Sequence, residues 1–130
     1  MDFSSCTVLV VDDFATMRRI VVGLLRQAGF RRVAEAEDGV QALRQLERTS
    51  FDLVVSDWNM PNMNGLDLLK ALRRSPELQA MPFLLVTAES HKTNIIDAAQ
   101  AGADGYILKP FSASTLSQKI EGIFQRRAFA

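Results

Sequence analysis

The chain has 130 residues, 48% of them apolar and 23% charged, which is enough for one hydrophobic core and too apolar for a disordered segment. With 15 basic against 15 acidic residues the formal net charge is zero, which argues against a nucleic-acid partner. No apolar run reaches the roughly 18–20 residues of a membrane span, so no membrane partner is expected.

Cys6 is the single cysteine, so an intrachain disulfide and a thiolate metal cluster are both excluded. The N-terminus lacks a signal-peptide pattern, and the composition suits a reducing, cytoplasmic setting. Basic residues fall largely into the pairs Arg18-Arg19, Arg31-Arg32, Arg73-Arg74 and Arg126-Arg127, expected on solvated faces and loops.

Two kinds of segment alternate along the chain. Thr7 to Val11 is a short β-branched run stopping at Asp12-Asp13, as expected of a strand buried on both faces. Met17, Ile20, Val21, Leu24 and Leu25 then recur at helical spacing as far as Gly29. Arg32 to Ala36 is a more polar strand, placed at a sheet edge. Gly39 to Arg48 is a second helix with Val40, Leu43 and Leu46 inward.

Leu53 to Ser56 is a third strand ending at Asp57. A loop with Pro61 and Gly65 leads into a helix from Leu66 to about Arg74. Phe83 to Val86 is a fourth strand ending at Thr87, followed by a helix from about Thr93 to Ala101 carrying Ile95, Ile96 and Ala99. Tyr106 to Leu108 is a fifth strand ending at Lys109-Pro110. Ser112 or Ser114 caps a last helix whose Leu116, Ile120, Ile123 and Phe124 face the core. Five strand–helix units predict an α/β fold, a doubly wound five-stranded parallel sheet with helices on both faces. The short connections predict a single domain over residues 1–130, with no output domain.

In such a sheet, ligands bind beyond the carboxyl ends of the strands. The polar residues stand there: Asp12 and Asp13 after the first strand, Asp57 after the third, Thr87 after the fourth and Lys109 after the fifth. Three carboxylates in one cleft repel each other, and a divalent cation relieves that. Oxygen donors without His or Cys select Mg²⁺ rather than zinc. A carboxylate beside such an ion can act as a nucleophile towards phosphorus. Lys109 and Thr87 can then meet the phosphoryl oxygens, and small Ala88 leaves the approach open. Each residue alone has a plainer explanation as a helix cap or surface group; the combination at four strand ends carries the reading.

These residues resemble the receiver domains of two-component response regulators over essentially the whole chain, and most closely the CheY-like chemotaxis members. The likeness is carried by Val10-Val11-Asp12-Asp13-Phe14-Ala15-Thr16-Met17-Arg18-Arg19, Glu35-Ala36-Glu37-Asp38-Gly39 and Ser56-Asp57-Trp58-Asn59-Met60-Pro61-Asn62-Met63. Val86-Thr87-Ala88-Glu89, Ala98-Ala99-Gln100-Ala101-Gly102-Ala103, Gly105-Tyr106 and Lys109-Pro110-Phe111 continue it.

The resemblance implies a flavodoxin-like strand order 2-1-3-4-5 and a cis Lys109-Pro110 bond. It implies that Asp57 takes a phosphoryl group from the phosphohistidine of a chemotaxis histidine kinase. Asp12, Asp13, Asp57 and the Asn59 carbonyl would bind Mg²⁺, while Thr87 and Lys109 contact the phosphoryl group. Thr87 would then move inward and Tyr106 turn from exposed to buried.

Asn59 and Glu89 would tune dephosphorylation and meet a dedicated phosphatase, giving a transient phosphoryl group. The surface of Lys92, Ile95, Ala99, Ala103, Tyr106 and Lys119, from the fourth helix to the fifth, would dock the flagellar motor switch protein, the chain acting as a monomer. The same sequence fits a phosphate sink that drains the kinase without binding the motor.

Three positions depart from the pattern. Asn64 replaces the usual Asp before Gly65, His91 replaces a frequent Lys, and Asp104 would add negative charge near the output face. Competing enzymes fit less well: an aspartyl phosphatase of the haloacid-dehalogenase type needs Asp-x-Asp after the first strand. A flavodoxin needs a Ser/Thr/Gly-rich phosphate loop there.

Overall fold

The fold, taken from a computed structural model that describes residues 1–88 and 92–128, follows the sequence pattern closely. Glu89, His91 and the Lys92 side chain lie outside the described residues. In chain order the elements are β1 (Thr7–Val11), α1 (Ala15–Ala28), β2 (Arg32–Ala36), α2 (Gly39–Arg48) and β3 (Leu53–Asp57). Then come α3 (Gly65–Arg74), β4 (Phe83–Thr87), α4 (Lys92–Gln100), β5 (Gly105–Leu108) and α5 (Ala113–Ala128).

The five strands form one parallel sheet in the order β2-β1-β3-β4-β5. Connection by helices dictates the parallel sense, because an antiparallel neighbour would need only a hairpin. β2 leaves Arg32 and Glu35 exposed and buries only Ala36, as suits a strand at the edge of the sheet.

Side-chain alternation along the strands divides the core into two layers. Val8, Val10, Leu53, Val55, Leu84, Val86 and Ile107 face α1 and α5, meeting Val21, Leu25, Leu116, Ile120 and Ile123. Leu9, Val11, Val54, Phe83 and Leu85 face the other helices, meeting Leu46, Leu68, Leu69, Leu72 and Ala98. Each fully buried Val, Leu or Ile contributes about 1.5–3 kcal/mol, which is why burial on both faces holds the strand ends in register.

The helix periods deviate in three places. Ile20 is 50% exposed, because Val21 and Leu25 take the inward positions of α1. In α2 the buried residues are Gly39, Ala42 and Leu46, with Val40 and Leu43 only half-buried. In α4 the inward residue is Ala98, leaving Ile95 and Ile96 at 39% and 44% exposure.

Local caps follow residue chemistry. Gly29 ends α1 at a φ of 117°, a conformation glycine adopts without a Cβ clash. Asp38 accepts from the Gln41 N–H and starts α2, and Ser112 accepts from the Thr115 N–H and starts α5. Asn64 accepts from the Asp67 N–H at 2.8 Å and caps α3. Replacing the usual Asp there keeps the cap and drops only a charge.

Asp104 corrects an expectation. Its charge is not offered to the output face. One carboxylate oxygen accepts from the Phe83 N–H at 2.8 Å, from Arg73 at 3.1 Å and from Arg127 at 2.9 Å; the other accepts from Arg127 Nε. The knot ties α3, the start of β4, the start of β5 and the end of α5 together, at the amino-terminal edge of the sheet. The arginine pairs are corrected with it: Arg73 and Arg127 belong to this knot, Arg126 donates to the Asp104 carbonyl, and Arg18 is engaged elsewhere, so three of the pairs are not simply solvated.

Candidate phosphoacceptor site

Parallel strands end together, so β1, β3, β4 and β5 deliver their last residues to one edge of the sheet. β1 pairs with β3 and β3 with β4, which sets Asp12 and Asp57 side by side at the point where strand order reverses. Asp12, Asp13 and Asp57 each place one carboxylate oxygen within 4.8 Å of the other two. Asp12 is buried, Asp57 half-buried and Asp13 exposed.

Lys109 completes the cluster from the end of β5. Its Nζ lies 3.4 Å from Asp57 Oδ1 and 3.6 Å from Asp12 Oδ2. The backbone brings it there: the Lys109 N–H donates to the Thr87 carbonyl at 2.9 Å, and the Lys109-Pro110 bond is cis. Thr87 is buried at the end of β4, on the same edge.

Asp57 is held by its own neighbours. Its Oδ1 accepts from the Trp58 N–H at 2.8 Å, and the carbonyl accepts from the Ser56 hydroxyl. Gly65 packs directly under it: a Cβ there would run into the Asp57 carbonyl oxygen and come within 3.0 Å of Leu85 Cδ2. Burial pushes the Asp57 carboxyl above its ordinary value; Lys109 opposes that and the Asp12 charge adds to it.

A raised acid beside an ammonium and two further carboxylates leaves two uncompensated negative charges when all are ionised, which one divalent cation cancels. The donor set fits Mg²⁺. The ligands are hard oxygens, and metal–oxygen distances of about 2.0–2.1 Å put octahedral ligands about 2.9–4.2 Å apart, within the spread seen here. Exposed Asp13 leaves room for the waters that Mg²⁺ keeps.

The structure therefore brings together Asp12, Asp13, Asp57 and Lys109, with Thr87 beside Lys109. Asn59 is exposed in the loop two residues past Asp57. Ala88 is exposed and lines, with Met17, Ile20 and Phe111, an apolar groove of ≈ 380 Å³ that runs up to Lys109. On the proposed output face, Ile95, Ala99 and Lys119 are exposed and Ala103 and Tyr106 half-buried, with the Tyr106 hydroxyl oxygen shielded from solvent.

Three contributions were not foreseen. Ile96 and Leu108, at 44% and 43% exposure, extend the apolar part of that face. Asp38 accepts from the Asn62 amide at 2.9 Å, and the Gly39 N–H donates to the Met63 carbonyl, so the loop carrying Asn59 is latched to α2. Asn62 adopts a φ of 66°, tolerable for Asn, to make this turn. Arg18 reaches back to the Asp12 carbonyl. No local signal announces either contact, because Asp38 and Asn62, like Arg18 and Glu35, are distant in sequence and meet only in the fold.

A family model described as the response regulator receiver domain matches residues 8–121. The chain is 56% identical over 119 residues to chemotaxis protein CheY-3 of Vibrio cholerae, covering 92% of each, and 55% identical to chemotaxis protein CheY of Pseudomonas aeruginosa, covering 92% of this chain and 96% of that one. Among solved structures, Vibrio cholerae CheY4 superposes with a TM-score of 0.84 at 34% identity, over 91% of this chain and 98% of that one. The receiver domain of a sensor histidine kinase from Pseudomonas aeruginosa, described with a magnesium ion coordinated in its active-site cleft, superposes at 0.82 with 26% identity, over 92% and 98%. With its acidic cluster, its 2-1-3-4-5 sheet and these relatives, the chain belongs to the response regulator receiver family and is a CheY-like chemotaxis receiver.

Proposed function

We propose that the protein is a phosphorylation-driven switch in chemotaxis, taking a phosphoryl group from the phosphohistidine of a histidine kinase onto Asp57 and presenting a changed face to the flagellar motor switch. The observation that carries this is the convergence of Asp57 with Lys109 and two further aspartates at the strand-order reversal.

In the transfer, an Asp57 carboxylate oxygen forms a bond to phosphorus as the phosphorus–nitrogen bond to the donor imidazole breaks. The electron pair of that bond stays on the imidazole nitrogen. Lys109, 3.4 Å from Asp57, pairs with one developing phosphoryl oxygen, and the Thr87 hydroxyl donates to another. Asp12, Asp13, Asp57 and the Asn59 carbonyl would hold Mg²⁺, which would supply positive charge to neutralise the phosphoryl group. Asn59 and Glu89, two residues along the chain from Asp57 and Thr87, tune the lifetime of the acyl phosphate, with a dedicated phosphatase acting on it.

The response runs from Thr87 to Tyr106 and so to the α4–β5–α5 face. Ile95, Ile96 and Leu108 stand exposed there, and Ala99, Ala103 and Lys119 complete the surface for the motor switch protein, to which Lys92 is assigned from the sequence alone. The chain acts as a cytoplasmic monomer, one receiver domain over residues 1–130.

Anisotropy of a labelled motor-switch segment, titrated with the protein in Mg²⁺ with and without beryllofluoride, tests this. Binding that tightens with beryllofluoride, and does not in Asp57→Asn, is expected. A protein that accepts the phosphoryl group but ignores the segment in both states is a phosphate sink instead.

A further inference from the structure

We infer that Arg18 is a positioning residue for the acidic cluster, fixing the Asp12–Asp13 peptide so that Asp13 can reach a bound cation; this rests on the reading of the cluster as a Mg²⁺ site. Arg18 lies in the first turn of α1, where its N–H donates to the Phe14 carbonyl at 2.9 Å. Its side chain doubles back over the turn between β1 and α1 and is only 13% exposed. Nη1 donates to the Asp12 carbonyl at 2.8 Å, and Nε to Glu35 Oε1 on β2 at 2.9 Å. One planar guanidinium thus spans the helix, the turn and the edge strand.

The consequence follows from peptide geometry. The Asp12 carbonyl lies in the rigid plane that joins Asp12 to Asp13, so a charge-assisted hydrogen bond to that oxygen sets the direction in which Asp13 leaves. Asp12 is otherwise fully braced: its N–H donates to the Ala36 carbonyl, Oδ1 accepts from the Phe14 N–H, and Oδ2 faces Lys109. Asp13 has no such support. It is exposed, and among the described residues its carboxylate has no hydrogen bond or ion pair, yet one of its oxygens lies within 4.8 Å of a carboxylate oxygen of both Asp12 and Asp57. Its placement therefore depends on its backbone, and Arg18 is the side chain that grips that backbone.

Position and charge make opposite predictions. A cation near a divalent-ion site repels the ion, so removing Arg18 would tighten binding if its charge were what mattered. Glu35 offsets that charge locally and leaves the geometric effect to dominate.

The test is a Mg²⁺ titration followed by Trp58 fluorescence, with thermal unfolding in metal-free buffer alongside. Trp58 is the chain's single tryptophan and adjoins Asp57. Arg18→Met should weaken Mg²⁺ binding about tenfold, as loss of a group that orients a metal ligand does. Arg18→Lys keeps the charge but replaces the planar guanidinium fork by a single nitrogen that cannot reproduce its two-point geometry, and should also weaken it. Unchanged or tighter binding in Arg18→Met overturns the proposal, as does a lowered melting temperature with the Mg²⁺ affinity intact. A wild-type protein that does not bind Mg²⁺ at all removes the metal-site reading, and this proposal with it.

Discussion

Replacing Asp104 with Ala tests whether that carboxylate is structural. The side chain is 18% exposed and accepts from the Phe83 N–H, from Arg73 and twice from Arg127. Phe83 is fully buried at the start of β4, so its N–H would lose its acceptor at a cost of about 1–3 kcal/mol. The two guanidinium groups keep carbonyl partners, Arg73 on Gly102 and Met81 and Arg127 on Ala80. Their lost ion pairs are partly exposed and add about 0.2–1 kcal/mol each.

The expected loss is about 2–4 kcal/mol, or about 6–15 °C in melting temperature for a domain of this size. Asp104→Asn keeps one acceptor for Phe83 and should lose roughly half as much. Urea unfolding of the three proteins measures this. A loss below about 0.5 kcal/mol for the Ala variant would mean that the knot contributes nothing beyond a surface ion pair. A weakened grip on the motor-switch segment with stability unchanged would return Asp104 to the output face.

Other perturbations separate the roles within the site. Asp57→Asn should be more stable than the wild type at neutral pH without Mg²⁺, because burial raises the Asp57 carboxyl and the folded state binds its proton more tightly than the unfolded chain. The sign follows: in the wild type this group's contribution falls as pH rises from the ordinary carboxylate value through the raised one, so the variant's advantage should vanish in acid, as urea unfolding over a pH series would show. Saturating Mg²⁺ at a hundredfold excess over its dissociation constant should stabilise the wild type by about 2.7 kcal/mol, read as a thermal shift that EDTA abolishes. Gly65→Ala drives a methyl group into the Asp57 carbonyl and should cost about 1–3 kcal/mol while weakening Mg²⁺ binding; equal stability and affinity would show that the loop yields freely.

The sheet was legible because its strands other than the edge strand β2 are short apolar runs, buried on both faces in β1, β3 and β4, each ending at a polar residue that cannot continue inward. Asp12, Asp57, Thr87 and Lys109 stand out in sequence for that reason alone. Helix faces were less legible. A period of 3.6 leaves neighbouring apolar residues such as Ile20 and Val21 competing for one inward position, and only packing against α5 and β1 selects Val21. In α4 the small Ala98 packs inward while Ile95 and Ile96 stay out, a choice that composition cannot make.

The roles of Arg18, Arg73 and Arg127 were hidden for another reason. A long guanidinium finds its partners across the fold, as Arg127 finds Asp104 and Ala80, and no spacing rule along the chain encodes that. The Asn64 cap, by contrast, is local, and its chemistry could be read directly.

Asp57 is expected to accept phosphate with a divalent cation in the cluster. Incubating the protein with radiolabelled acetyl phosphate and mapping the labelled peptide tests it most directly. The account predicts one phosphoryl group per chain, on the peptide that contains Asp57, released by hydroxylamine and absent with EDTA or in Asp57→Asn. Label on a peptide outside the Asp12–Asp13–Asp57 cluster, or uptake indifferent to EDTA and to the Asn substitution, would contradict it.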